Sequence, residues 1–309
     1  MIDELRQIYK LCVLLKIAGV PKSTYEYHKT NEYIKRQEIK KQKDKQIYDK
    51  IYDIYKDNFG RYGYIRITLE LRKSMLINQK KVERIMHEYG LRGIQGSNQK
   101  YHSYKGDNGL YKENLLLYKE VDTVNHITRF KRNFTATKPN EKWTTDVSEF
   151  KINAGKLYLS PILDMYSDDI ISYDISTSPN FAQTKRMLDI AFNKYQNLDG
   201  LTFHSDQGWQ YQMVYYQKEL LSRGIKQSFS RKGNCMDNSP MENFFGIMKN
   251  EMFYGYEKEF KSLEDLQDAM IKYINYYNNL RINKKRKGLS PIEYREQYYS
   301  SKEKSVVQL

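Results

Sequence analysis

Residues 142–176 read KWTTDVSEFKINAGKLYLSPILDMYSDDIISYDIS, and their pattern indicates the fold class of the chain. Its apolar and β-branched residues cluster in three runs, 142–152, 157–165 and 170–176, which predict three consecutive strands. Gly155 separates the first two runs, and a glycine at that place favours a hairpin. The stretch therefore predicts the beginning of a sheet.

Strands and helices alternate downstream of these three runs. Short strands are predicted at 201–204 and 225–227, and helices at 180–196, 210–222, 237–253, 262–279 and 291–298. Strands that are followed by alternating helices form a mixed sheet with helices packed on it. We therefore expect an α/β fold that ends in a short helical C-terminal segment.

The part of the chain before this sheet is predicted to be all helical, in two units. In the first, apolar residues at helical spacing over 3–17 are followed by Gly19 and by a second short helix that begins near Ser23. This pattern is typical of a helix-turn-helix, and a simple helical hairpin explains it equally well. In the second, a break at 60–63 and a cap at Asn78 separate three short helices.

A long connection joins the helical units to the sheet. From Gly93 to Lys138 the hydrophobic pattern weakens, which indicates a mainly irregular linker with one short helix near 111–120. Connections of this length are unusual inside a compact domain. The predicted domains are an N-terminal helix-turn-helix (1–40), a second helical unit (41–93), a linker (94–139), a catalytic core (140–252) and a C-terminal helical segment (253–309).

Positive charge is concentrated in the first part of the chain. The 309 residues carry a formal net charge of +14. Residues 1–140 contain 29 Lys and Arg against 16 Asp and Glu, whereas residues 141–309 contain 23 against 22. Such asymmetry predicts a basic part that binds DNA and a second part that contains the catalytic site.

The sequence favours a reducing compartment and no membrane span. The two cysteines, Cys12 and Cys235, predict neither a disulfide framework nor a zinc cluster. No stretch approaches the roughly 20 apolar residues of a membrane helix, and the N-terminus lacks a signal-peptide pattern. We expect a cytoplasmic protein that associates with the nucleoid.

Three carboxylates are candidates for a metal site. Asp146 lies near the middle of the first predicted strand, Asp206 directly follows the strand at 201–204, and Glu242 lies in the first turns of the helix that begins near Asp237. Phosphoryl transfer by two metal ions needs hard oxygen ligands of this kind. Because a chain with 38 acidic residues contains many such triplets, the neighbouring residues must carry the specificity.

Those neighbours form several ordered motifs. They read WTTDVS at 143–148, HSDQG at 204–208, GNCMDNS at 233–239 and ENFF at 242–245, with Lys249 seven residues after Glu242. Together they resemble the DDE transposases of the insertion-sequence-3 family, in particular the product of its second reading frame. YGY-R near 62–66 and LSP at 289–291 resemble further parts of the same family, so the resemblance covers most of the chain.

The resemblance implies a fold and a set of ligands. It implies a retroviral-integrase-like catalytic core of the ribonuclease H fold, with Asp146, Asp206 and Glu242 as ligands of two Mg²⁺ ions, for which Mn²⁺ can substitute. It also implies a basic residue seven positions after the glutamate, which is Lys249. Seven residues are almost two helical turns, so Lys249 is expected on the face of Glu242.

The resemblance also implies an activity and partners. The enzyme would bind the terminal inverted repeats of its own insertion sequence, nick one strand, and transfer the freed 3′-OH to target DNA. A homo-oligomer on DNA and a helix-turn-helix protein from an upstream reading frame are the other implied partners. The basic side chains expected to contact DNA are Lys22, Arg66, Arg72, Lys80, Lys81, Arg84 and Arg281.

Several neighbouring residues have plainer interpretations. Asp168 and Asp169 are expected to be turn residues, and His204 to orient the site or to pack at the strand end. Gly233 and Asn234 suggest a flexible active-site loop. Two other functions remain open: a DNA-binding protein derived from a decayed transposase, and a ribonuclease-H-like nuclease without strand transfer. The intact triad with Lys249 argues against a decayed transposase. The basic helical domains at the N-terminus argue against a nuclease without strand transfer.

Overall fold

The computed structural model describes residues 2–94, 113–122 and 127–307. It divides after Gly93 into two compact units, which are described separately. The first unit is helical, with α1 (Ile2–Leu5), α2 (Leu11–Ala18), α3 (Lys22–His28), α4 (Asn31–Asp57), α5 (Tyr64–Leu71) and α6 (Gln79–Glu88).

Local capping sets the helix ends of the first unit. Gly19 ends α2 in the left-handed conformation, with φ 65°, which a glycine adopts without steric cost. Thr30 caps α4 by accepting a hydrogen bond from the Tyr33 N–H, and Asn78 caps α6 through the Lys80 N–H, as predicted. Helix α4 has 27 residues and continues without interruption through residues 40 and 41. The sequence predicts the boundary between the N-terminal helix-turn-helix and the second helical domain at this place.

A small apolar core joins the last three helices of this unit. Ile51 of α4, Ile67 of α5, and Val82 and Ile85 of α6 are each fully buried. Asp44 of α4 adds an electrostatic contact between helices, described below. Burial of these side chains, rather than the polar residues of α4, therefore holds the three helices together.

The second unit is α/β. Its strands are β1 (Leu117–Asp122), β2 (Ile127–Arg132), β3 (Lys142–Thr145), β4 (Ser148–Ile152), β5 (Gly155–Asp164), β6 (Ile170–Ser176), β7 (Thr202–Ser205) and β8 (Lys226–Phe229). Its helices are α7 (Phe181–Lys194), α8 (Trp209–Gln212), α9 (Val214–Leu221), α10 (Ser239–Met252), α11 (Leu263–Asn279) and α12 (Pro291–Val307). Short 3₁₀ turns lie at Cys235–Asn238 and Lys284–Arg286.

The main sheet is mixed, as the sequence predicts. Its strands run in the order β4-β5-β3-β7-β8, with β6 also paired to β5. The pairs of β5 with β3, β4 and β6 are antiparallel, whereas β3–β7 and β7–β8 are parallel. Helices flank this sheet, so the expected ribonuclease H-like architecture with helices before and after it is confirmed.

The segment 117–132 differs from its prediction. The expected short helix near 111–120 is wrong, because residues 117–120 belong to β1; residues 111 and 112 lie outside the described residues. β1 pairs antiparallel with β2 from Leu117↔Arg132 to Asp122↔Ile127. Pairing with a second strand, whose residues lie 5 to 15 positions further along the chain, decides the conformation here.

The first predicted strand is two strands. β3 and β4 pair with successive parts of β5, with Thr145 opposite Ile162 and Ser148 opposite Leu159. Both pairings keep one register along β5, so Asp146 lies in the two-residue gap between β3 and β4, near the middle of the predicted strand 142–152.

The core lies between the sheet and the helices that follow it. Trp143 is completely buried there, and α7 covers it with Met187, Leu188 and Ala191. On the C-terminal side, Asn278 of α11 binds both the backbone N–H and the carbonyl of Ile170, at 2.8 and 2.9 Å. The C-terminal helices are thus part of the same compact unit. No helix among the described residues combines the length and the apolar character needed to cross a membrane.

Candidate active site

Asp146 and Asp206 lie side by side at the carboxyl ends of two parallel strands. Thr144 of β3 pairs with His204 of β7, and each aspartate comes two residues later, directly after its strand ends. Neighbouring strands are about 4.8 Å apart. The register therefore brings these two carboxylates to the same level of adjacent strands.

The two carboxylates differ in exposure. Asp146 is 8% exposed and accepts a hydrogen bond of 2.7 Å from the Val147 N–H. Asp206 is half-buried and accepts one of 2.9 Å from the Gly208 N–H. Burial raises the pKa of Asp206, and the Gly208 N–H acts in the opposite direction. No basic side chain within the described ranges forms an ion pair with Asp206.

Glu242 lies on α10, whose start is tied to the same strand. The Thr144 hydroxyl donates a hydrogen bond to the Asn238 side-chain oxygen, and the Asn238 amide donates to the Thr145 carbonyl at 3.2 Å. Glu242 follows Asn238 by four residues, about one helical turn. In the present conformation, no three His, Cys, Asp or Glu side chains of the described residues are arranged to hold a metal ion.

Lys249 lies on α10, two turns after Glu242. Its ammonium is 4.9 Å from the centre of the Phe150 ring. Burial lowers the pKa of Lys249, while the carboxylates of Glu149 and Asp146 act in the opposite direction. The Lys249 charge is thus within electrostatic reach of Asp146.

Asp237 anchors the loop before α10, a contact that the sequence motifs did not indicate. Its carboxylate accepts hydrogen bonds from Arg231 Nε (2.8 Å), Arg132 Nε (2.7 Å) and Asn114 Nδ2 (3.1 Å). Burial alone would raise the pKa of Asp237, but the hydrogen bonds from Arg231 and Arg132 hold it well below its usual value. The loop with Gly233 is therefore fixed at its C-terminal end.

His204 packs at the strand end, which is one of its two predicted roles. Its ring is completely buried, and its nitrogens lie 2.9 and 3.0 Å from the hydroxyls of Ser228 and Ser230. Burial lowers the pKa of His204 from 6.5 to about 4. The ring is therefore neutral at physiological pH and links β7 to β8.

The lowered pKa of the buried His204 ring predicts that the protein loses stability in mild acid. Between pH 6.5 and about 4 the unfolded imidazole takes up a proton that the folded one does not, so the free energy of unfolding falls as the pH falls. From about pH 7 to pH 5 the expected loss from this group is about 2 kcal/mol. Urea unfolding of His204→Gln should show a weaker pH dependence, whereas the exposed His87→Gln should keep it. An equal pH dependence in wild type and His204→Gln would contradict this role.

The predicted DNA contacts of the first unit have different environments. Lys22, Arg72 and Lys80 are exposed. The Arg66 guanidinium lies over the Tyr62 ring, 5.3 Å from its centre. The last two, Lys81 and Arg84, form ion pairs with Asp44, at 3.1 and 2.7 Å. Their charge is already partly compensated within the protein.

Arg281 is not a DNA contact in this structure, and that prediction is wrong. Its side chain is 2% exposed, and its guanidinium binds both carboxylate oxygens of Glu251, with Nη2 2.7 Å from Oε1 and Nε 2.9 Å from Oε2. Arg286, in the same basic run, is also buried and binds Asp168 at 2.6 Å. The spacing of the basic run gave no sign of these two acidic partners.

The acidic residues at the end of β5 and in the turn after it form ion pairs that stabilise the fold. Asp164 and Asp169 are completely buried and bind the guanidinium of Arg295 on α12, at 3.0 and 3.1 Å. Asp168 occupies the left-handed region with φ 60°, as turn residues do. These carboxylates fix the C-terminal helix against the sheet.

Three protein-family models match the chain. An integrase core domain model matches residues 136–235, a second integrase core domain model matches residues 242–299, and an HTH-like domain model matches residues 41–99. Among solved structures, the catalytic core domain of HTLV-2 integrase in complex with magnesium aligns with a TM-score of 0.43 and 21% identity, over 52% of this chain and 99% of that chain.

Two relatives cover most of the chain. InsK of insertion sequence element IS150 from Escherichia coli (strain K12), described by its name as a transposase, is 44% identical over 97% of this chain and 98% of its own length. The transposase InsF of insertion sequence IS3A from the same organism is 30% identical over 76% of each chain. The chain thus belongs to the insertion-sequence-3 family of transposases, which act in DNA transposition and integration.

Proposed function

We propose that this transposase binds the ends of its insertion sequence, nicks one strand there, and joins the freed 3′-OH to a second phosphodiester. The observation that carries the proposal is the pair Asp146 and Asp206, side by side at adjacent strand ends. Asp146 is buried, and Asp206 has no basic partner among the described residues, so a bound cation would supply the charge that both carboxylates favour.

Asp146, Asp206 and Glu242 would hold two Mg²⁺ ions, or Mn²⁺ in their place. Such ions supply Lewis-acid chemistry that activates the attacking oxygen and stabilises the leaving one. Carboxylate oxygens are the hard ligands that both cations prefer. Glu242 would complete the set from α10, whose start is held to β3 by Asn238.

The remaining residues position DNA and the third carboxylate. Lys249, within electrostatic reach of Asp146, would bind a phosphate oxygen of the DNA. Asn238 and Asp237 hold the start of α10 against β3 and against Arg132 of β2, which limits where Glu242 can go. These fixed contacts provide the orientation that phosphoryl transfer requires.

The choice between a transposase and a nuclease of the same fold is tested by the reaction product. A duplex of the element end with a free 3′-OH is incubated with plasmid and Mg²⁺, and the products are separated by size. Covalent joining of the end to the plasmid supports the proposal. Cleaved plasmid without any joined product would favour a nuclease that lacks strand transfer.

The exposed Lys80 is expected to contribute one phosphate contact to DNA binding. Lys80→Ala should weaken binding to element ends, and it should reduce the slope of log K against log salt concentration by about 1. Lys81→Ala is the matched control. In the wild-type protein the Lys81 ammonium is paired with Asp44, so the salt dependence of DNA binding by Lys81→Ala should stay closer to that of wild type. Fluorescence anisotropy over a salt series measures both slopes. Equal slopes for wild type and Lys80→Ala would contradict this contact.

Two further partners belong to the same proposal. Assembly of a homo-oligomer on DNA would bring two element ends together. A helix-turn-helix protein from an upstream reading frame would supply a further DNA-binding part. Both follow from the family resemblance. Size measurement of the complex with and without element ends tests the first partner.

A further inference from the structure

Tyr211 has a buried hydroxyl group without a partner. The side chain is completely buried, and its hydroxyl oxygen forms no hydrogen bond with the described residues. An unsatisfied buried polar group costs about 1–3 kcal/mol, so native proteins rarely keep one without a reason. A phenylalanine would fill the same space without this cost.

The position of Tyr211 relates it to the candidate metal site. It lies five residues after Asp206, in the turn that Gly208 begins: the Tyr211 N–H donates to the Gly208 carbonyl at 3.1 Å, and the Gly208 N–H donates to Asp206. The Gln227 amide holds the Tyr211 carbonyl at 2.7 Å. The backbone of Tyr211 is thus fixed relative to the Asp206 carboxylate.

The Tyr211 phenol is within electrostatic reach of both aspartates. Burial is the main reason why the pKa of Tyr211 is raised well above its usual value, and the charges of Asp146 and Asp206 raise it further. A hydrogen bond from the Thr145 side chain would act in the opposite direction, but that hydroxyl donates to the Met187 sulfur at 3.6 Å, and the Tyr211 oxygen has no partner of hydrogen-bond geometry among the described residues. The geometry therefore leaves the Tyr211 hydroxyl available as a donor, on a backbone that is tied to Asp206 through Gly208.

We propose that Tyr211 is a positioning residue of the metal site, whose hydroxyl donates a hydrogen bond to a carboxylate oxygen of Asp146 or Asp206 in the cation-bound protein. The inference rests on the proposed metal site and concerns one side chain of it. The available donor would hold one carboxylate oxygen in place, so that the remaining oxygens face the cation. Partners of metal ligands act in this way, and their loss typically weakens metal binding about 10-fold to 100-fold.

The chain provides a matched control in Tyr216. Tyr216 is 1% exposed and belongs to the same apolar cluster, with its ring centre 5.5 Å from that of Tyr211. Its pKa is also raised well above the usual value, but by burial alone, without a contribution from the aspartates. Tyr216→Phe therefore removes a buried hydroxyl of the same cluster that is not directed to the site.

The test uses the full chain without DNA and Mn²⁺ as the probe. Calorimetric titration gives the dissociation constant for Mn²⁺, and thermal unfolding is followed with and without the ion. We expect Tyr211→Phe to bind Mn²⁺ about 10-fold more weakly than wild type. Without the ion, this variant should melt at or above the wild-type temperature, because an unsatisfied donor is removed. Tyr216→Phe should bind Mn²⁺ as wild type does.

Several outcomes would overturn the inference. If wild type binds Mn²⁺ and Tyr211→Phe binds it equally well, the role of Tyr211 is wrong and the metal site stands. Equal weakening in Tyr216→Phe, or a clear loss of cation-free stability in Tyr211→Phe, would assign the hydroxyl a purely structural role. If wild type itself binds no Mn²⁺, the proposed metal site fails, and the role of Tyr211 fails with it.

Discussion

Asp206→Asn is expected to reduce the rate of strand transfer about 1000-fold or more, while binding of element ends stays near wild type. Such a loss corresponds to about 4 kcal/mol of transition-state stabilisation. Asn retains the shape and the hydrogen bond from Gly208 but removes the negative charge that would hold a cation next to Asp146. Single-turnover kinetics on a pre-nicked end measures the chemical step apart from DNA binding.

The same experiment tests whether the carboxylates act as one unit. Asp206→Asn combined with Glu242→Gln should cost little more than either change alone, because ligands of one site are non-additive. Asp189→Asn, an exposed carboxylate on α7, is the matched control and should keep full activity. If Asp206→Asn carried out strand transfer within a few-fold of the wild-type rate, Asp206 would not be a ligand of the metal site.

Arg281→Met is expected to lower the free energy of unfolding by about 3–5 kcal/mol, because it leaves the buried carboxylate of Glu251 without its cation. Arg281 is 2% and Glu251 7% exposed, and the pair is completed by the Tyr273 hydroxyl, 2.8 Å from Glu251 Oε2. Glu251 lies on α10 and Tyr273 on α11, so the cluster fixes the end of the helix that carries Glu242 and Lys249. Urea unfolding at neutral pH measures the loss.

Two further variants separate burial from charge. Glu251→Leu combined with Arg281→Met should recover much of the lost stability, since an apolar pair leaves no unpaired buried charge. Lys284→Met removes an exposed charge from the same basic run and should change the free energy of unfolding by less than about 0.5 kcal/mol. Equal stability of wild type and Arg281→Met would contradict the buried ion pair.

Local patterns predicted the elements that carry the candidate site. Asp206 directly follows a short apolar strand, and Glu242 and Lys249 lie two turns apart on one helix, as strand and helix periodicity indicated. Their assignment to a metal site came from the neighbouring motifs and the family resemblance, and it stays a prediction. The division of the first predicted strand into β3 and β4, on either side of Asp146, is not visible in a single run of apolar residues.

The missed features are contacts between elements rather than local patterns. β1 was predicted as a short helix and β2 as irregular linker, and Arg132 of β2 binds Asp237, more than 100 residues later. Arg281 was taken for an exposed basic residue because its partner Glu251 lies on another helix. The buried phenol of Tyr211 becomes informative only when its missing partner is known.

We propose that the carboxylates Asp146, Asp206 and Glu242 catalyse strand transfer through bound divalent cations. For the wild-type protein, covalent joining of element ends to target DNA is measured in Mg²⁺ and in excess EDTA. We expect a joined product with Mg²⁺, none in EDTA, and recovery when Mg²⁺ or Mn²⁺ is restored. Full joining in EDTA would contradict it.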